Sequence, residues 1–166
     1  TDASLYLPTY ETDGSSVYKK WEEGTVLRNV ALGKTVTGKI TGFGTADMLV
    51  DGNTAKASIY NGGAQPPADP ANNYFIVDLG YEYDVEAIRF VGADHRRKQH
   101  MMGVTLTASK TSSTVEGEDV VTLKTYPSTA SEITEDMMDM TFAVNSGKIR
   151  YVKISSELIG LLVGEL

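Results

Sequence analysis

Through most of this chain, short segments place an apolar side chain at every second position and end in glycine, proline or acidic turn residues. That period of two dictates strands with one buried face, because successive side chains of a strand point to opposite sides. In GVTLTAS, residues 103–109, Val104, Leu106 and Ala108 fall on one side and Thr105, Thr107 and Ser109 on the other. In YFIVDLG, residues 74–80, Phe75, Val77 and Leu79 oppose Tyr74, Ile76 and Asp78. Further strand segments centre on Ile88, Leu123, Phe142 and Val152, with another in the terminal LIGLLVGEL. About eight such strands without a long amphipathic helix predict an all-β fold, a jelly-roll β-sandwich of antiparallel strands. EITEDMMDM, residues 132–140, reads either way, since Ile133, Met137 and Met140 would share a helical face.

A chain of 166 residues with 41% hydrophobic content suits one self-sufficient domain. It has no cysteine, so no disulfide supports it and no Cys/His zinc spacing exists. No apolar run reaches the roughly 20 residues needed to cross a bilayer, and the first residues are too polar for a signal peptide. With 22 acidic against 15 basic side chains the formal net charge is -7, a field that repels polyanions. Nucleic acid and anionic membranes are therefore not the expected partners, and a monomer without membrane insertion is.

Two stretches break the strand pattern. Residues 1–28 carry the single tryptophan, Trp21, in a polar surround of weak periodicity, and read as a linker or the trailing edge of a preceding domain. Residues 29–166 then form the main domain. YNGGAQPPADPANN, residues 60–73, holds three prolines and two glycines and predicts a long irregular loop.

Motifs of catalysis are missing: there is no GxSxG, HExxH, GxxxxGK[ST] or GxGxxG. Both histidines, His95 and His100, sit with Arg96, Arg97 and Lys98 in ADHRRKQHM, a connection between two strand segments that must lie at one end of the sandwich. The expectation is a binding domain, not an enzyme.

Five motifs occur in an order that points to a family: NVALGKTVTG (29–38), ADMLVDGNT (46–54), NYFIVDLGYEYDVEAIRF (73–90), GKIRYVKI (147–154) and the final VGEL. From Asn29 to Leu166 the chain resembles the discoidin, or coagulation-factor type C, superfamily, and within it the bacterial family thirty-two carbohydrate-binding modules. The resemblance implies a non-catalytic module appended to a secreted, periplasmic or cell-surface bacterial glycoside hydrolase, such as a hexosaminidase, which it holds near its glycan. An adhesion or protein-interaction domain of the same fold is the alternative, because this fold does not fix its ligand.

The resemblance also implies a site. Loops at one end of the sandwich would bind a terminal galactose or N-acetylhexosamine, with His95, Arg96 or Arg97, and His100 as polar contacts. Arginine offers a rigid donor fork and neutral histidine both donates and accepts, which suits sugar hydroxyls. Tyr60 and Tyr74, flanking the proline-rich loop, are the candidate aromatic platforms, or else ordinary sheet packing. The tryptophan common after the DGNT turn is replaced here by AKASIY. A structural calcium would be held by Asp51, by Asn53 or Thr54, and by Glu165, since an acidic turn gathers the oxygens a hard cation needs. Asp51 alternatively caps its own turn.

Overall fold

The alternating segments become strands where their period of two places them. The structure is a computed structural model that describes residues 6–10, 16–20, 26–38, 44–54, 59–61, 69–92 and 98–166. Among the described residues, nine strands form two sheets, from β4 (Thr35–Gly38) and β5 (Ile59–Asn61) through β6 (Tyr74–Asp84), β7 (Ala87–Gly92) and β8 (Thr105–Ser109) to β9 (Val121–Thr125), β10 (Asp139–Ala143), β11 (Lys148–Ser155) and β12 (Leu161–Glu165). One sheet has the order β4-β6-β11-β8-β9 and the other β10-β7-β12-β5, and every pairing is antiparallel.

The core lies between the sheets. Phe75, Val77 and Leu79 of β6, Leu106 and Ala108 of β8, and Val152 and Ile154 of β11 meet Ile88 and Phe90 of β7 and Leu161 and Val163 of β12. Each large side chain removed from water contributes on the order of 1.5–3 kcal/mol, which makes this layer the main support of the fold. The expected β-sandwich is therefore present. β12 runs so close to β7 that a Cβ on Gly164 would lie 3.1 Å from the Val91 carbonyl oxygen, and glycine there lets the two backbones approach.

Several positions depart from the simple alternation. Ser109, expected on the wet face, is fully buried, and its hydroxyl compensates by donating to Asp119 at 2.7 Å and accepting the Ser112 N–H at 2.8 Å. The Ser109 bond, with those from Thr111, holds the Asp119 carboxyl down at about 2. Ile76 faces away from the core cluster yet is buried, in a cross-sheet row between Thr37 and Lys153. EITEDMMDM forms neither a long strand nor an α-helix. It makes 3-10 turns at Ala130–Glu132 and Glu135–Met138, which bury Ile133 and Met138, and then enters β10.

Residues 6–28 contain a three-stranded antiparallel sheet, β1 (Tyr6–Tyr10), β2 (Ser16–Lys20) and β3 (Val26–Arg28). Among the described residues no helix is long and apolar enough to cross a membrane.

Candidate functional site

Strand directions decide which loops share an end. β6 and β7 join by a short turn at one end, so the β7–β8 and β11–β12 connections emerge together at the other, beside the residues that lead into β6. The β7–β8 connection is the basic loop. Its described part is a 3-10 turn, Lys98–Met101, whose Met101 is buried beneath it.

Asn73 ties these loops together. This residue is buried, and its side-chain Nδ2 donates to the carbonyls of Ser156 at 2.5 Å and Ile159 at 2.6 Å, both in the β11–β12 connection. Its Oδ1 accepts the Leu161 N–H at 3.5 Å, and its own carbonyl accepts the Ser156 N–H at 3.4 Å. Ser156 extends the link: its hydroxyl donates to the Met102 carbonyl at 3.0 Å and accepts the Leu158 N–H at 3.2 Å. A buried amide would otherwise cost about 1–3 kcal/mol unpaired, and these contacts turn that liability into a brace.

His100 is half-buried and faces the Gly160 carbonyl through Nδ1 at 3.3 Å. A carbonyl only accepts, so Nδ1 carries the proton and Nε2 of the neutral ring is an acceptor. Lys98 pairs with Glu135 at 2.8 Å and fastens the turn to its neighbour, though an ion pair this exposed adds little stability. The same end presents Leu158, 42% exposed, lying against Gly103. Sequence reading missed both Asn73 and Leu158: the first sat inside a strand motif, and SELIG has no periodicity to mark an exposed leucine.

Of the expected contacts, His95, Arg96 and Arg97 lie outside the described residues, as does the side chain of Tyr60, whose backbone pairs with Leu162 on the edge strand β5. Tyr74 starts β6 at this end, opposite Ser155, and the Lys153 ammonium sits 4.8 Å from its ring centroid. One face of that ring is thus engaged by a cation.

Asp51 and Glu165, far apart in sequence, do meet. Glu165 is buried at the end of β12, and its Oε1 accepts the Gly52 N–H at 2.9 Å, while Asp51 Oδ1 accepts the Asn53 N–H at 2.7 Å and closes an Asx turn. Glu165 Oε2 is buried without a hydrogen-bond partner. Burial, opposed by the Gly52 N–H and reinforced by the Asp51 carboxylate, pushes the Glu165 carboxyl up to about 8. Thr54 and Asn53 are exposed on the same turn. Among the described residues no three of His, Cys, Asp and Glu converge, so a cation here would rest on two carboxylates and neutral oxygens. This turn lies about 13 Å from the Asn73 end, four strand residues along β12 at roughly 3.3 Å each.

A cavity of about 280 Å³ opens near the β6–β7 turn, lined by Leu79, Tyr83, Ile88, Ile149, Val152 and Leu166 among others. It lies away from the braced loops, and its lining is mostly apolar, with Arg28, Asp84, Glu86 and Arg89 adding charged groups.

No protein-family model matches the chain, and no curated protein sequence does. Solved structures do match. The lectin domain of lectinolysin, in complex with Lewis b antigen, superposes with a TM-score of 0.61 at 18% identity, over 82% of this chain and 92% of that one. A fucose-binding module from Streptococcus pneumoniae gives 0.61 at 18%, over 82% and 93%. A family 89 glycoside hydrolase from Clostridium perfringens gives 0.57 at 18%, where 82% of this chain covers 14% of that much longer one. The likeness establishes a shared β-sandwich fold.

Proposed function

We propose that this protein is a non-catalytic glycan-binding module of the discoidin type, closest to the family thirty-two carbohydrate-binding modules, and that it binds at the end of the sandwich where the β7–β8 and β11–β12 loops meet. The observation that carries the reading is the brace through Asn73 and Ser156. It fixes two loops distant in sequence to one another, one carrying His100 and the other Leu158. Preorganised loops on a rigid sheet are how such scaffolds carry recognition. The fold it shares with a lectin domain and a fucose-binding module supports the same reading.

Arg96, Arg97 and His95 belong to the same connection as His100 and would add donors for hydroxyl or acetamido oxygens of a terminal galactose or N-acetylhexosamine. Tyr60 and Tyr74 remain the candidate aromatic contacts. The module would serve a secreted or surface-bound bacterial hydrolase in the same chain and raise its local concentration at the glycan, with an affinity of about 0.01–1 mM per site. The module-sized match within a glycoside hydrolase is what supports that role.

Calcium fits the Asp51–Glu165 turn. The orphaned Glu165 Oε2 and the adjacent Asp51 carboxylate form a like-charge pair that needs either a proton or a cation. Asp51, Glu165, a backbone or side-chain oxygen of Asn53 or Thr54, and water would hold the ion, which would pin the turn to β12.

A glycan array probed with the chain tests the function. Binding that His100→Ala weakens at least fivefold is expected, and silence toward every glycan would overturn the reading.

A further inference from the structure

The cavity near the β6–β7 turn is built by the geometry of β6. Where β6 and β11 pair, Tyr83 faces Ile149 and Asp78 faces Tyr151, so residues 79–82 of β6 stand opposite Arg150 alone. β6 must arch there, and its surplus residues bulge away from β11. Gly80, at φ +86°, makes a bend that a side chain would strain. The arch is also locked. Arg150 holds Asp78 at its foot with two hydrogen bonds, the Gly80 N–H donates to the same carboxylate, and Lys110 pairs with Glu82 at 3.6 Å. Leu79 and Tyr83, at the two ends of the arch, both line the cavity.

Protein interiors pack closely and leave few voids larger than a water molecule. This one has a volume of about 280 Å³, nearly twice the roughly 150 Å³ of an apolar cavity that accepts benzene. Its deep wall is the core itself: Leu79, Ile88, Ile149 and Val152 come from both sheets and are all buried. Half-buried Tyr83 and Thr141 bring hydroxyls to the lining. Around the mouth the charges cancel. Arg28 and Arg89 stand against Asp84 and Glu86, Asp139 pairs with Arg89 through both carboxylate oxygens, and Lys148 lies opposite Asp84 in the strand register. An ionic head group therefore gains no net attraction, while it loses water beside an apolar wall.

We infer that this cavity is a binding site in its own right, for an uncharged small molecule with a hydrocarbon body of about two fused rings and a single hydroxyl or similar polar group. The body fills the space between the sheets, and the polar group stays with the hydroxyls and charges of the lining. A preformed, mostly apolar pocket with a few polar groups is the usual form of a small-molecule site.

Three indoles of similar size test the inference: tryptophol carries a hydroxyl, tryptamine an ammonium and indole-3-propionate a carboxylate. Titrated into the 166-residue chain and followed by NMR, tryptophol should bind with a Kd of about 0.1–1 mM and each ion about threefold or more weakly. Intermolecular NOEs should join its ring protons to the methyl groups of Leu79, Ile88 and Ile149. Val152→Phe, which fills the space, should remove tryptophol binding and leave any glycan binding unchanged; if that variant does not fold, the NOEs decide alone. Absence of tryptophol binding, ions that bind as tightly, NOEs confined to other residues, or binding that persists in folded Val152→Phe would each overturn the inference. None of these outcomes touches the glycan reading, which rests on the opposite end of the sandwich.

Discussion

Arg150 grips Asp78 with two parallel hydrogen bonds, Nε to Oδ1 at 2.8 Å and a terminal guanidinium nitrogen to Oδ2 at 3.0 Å, where β11 shifts register against β6. The Gly80 N–H donates to the same Oδ1 at 2.8 Å. Asp78 thus belongs to the fold, and the Arg150 contact holds its carboxyl below the ordinary 3.8, with burial opposing.

A carboxylate whose pKa falls on folding contributes stability that is present above its ordinary value and is lost as pH drops through the lowered folded value. Denaturant melts should therefore weaken below about pH 4, and Asp78→Asn should flatten that fall. At neutral pH the variant should cost about 1 kcal/mol, since both side chains are about a third exposed and screened. An unchanged acid limb in Asp78→Asn would place the acid sensitivity elsewhere.

Calcium should raise the melting temperature, because binding only the native state stabilises it by mass action. Asp51→Asn and Glu165→Gln should each abolish the rise. In chelator, however, Glu165→Gln should melt no lower than the parent, since the amide relieves a buried carboxyl crowded by Asp51. The calcium increment should grow from pH 6 to pH 8 as the proton leaves Glu165. Melting curves identical with calcium and chelator would remove the metal.

Asn73→Ala should cost about 2–4 kcal/mol, the loss of a buried amide together with the unpaired carbonyls of Ser156 and Ile159. Hydrogen exchange should accelerate at Leu158 and Leu161 ahead of the core strands, as local opening precedes global unfolding. Uniform protection across both loops in the variant would show that Asn73 is not the brace.

How much of this the sequence disclosed follows from one-sided burial. β8 was legible because Leu106 and Ala108 alternate with threonines, and β6 because Phe75, Val77 and Leu79 recur at every second position and face the core. β5 spans three residues after a stretch of small and polar side chains, too short for any period to register. The sheet in residues 6–28 was not legible either, for its segments alternate weakly. At the site, the basic loop announced itself by composition and the meeting of Asp51 with Glu165 came through family resemblance. Asn73 and Leu158 act through contacts made across 83 and 55 positions of chain, Asn73 to Ser156 and Leu158 to Gly103, and no local pattern encodes those.

The pairing of Gly103 with Leu158 can be measured directly. Gly103→Ala should cost about 1–2 kcal/mol for the left-handed backbone alone, plus whatever displacing Leu158 requires. The collision falls on the leucine's Cδ1 and Cγ, at 2.7 and 3.0 Å, and its Cβ stands back at 3.5 Å. Leu158→Ala removes the two colliding atoms and keeps the third. Gly103→Ala should therefore be less damaging in the Leu158→Ala background than alone, by about 0.5–1 kcal/mol, a coupling that residues not in contact lack. Chemical denaturation of the four proteins of this cycle supplies the number. Strict additivity would mean that Leu158 swings aside freely, and that its seat on Gly103 does not hold it in place.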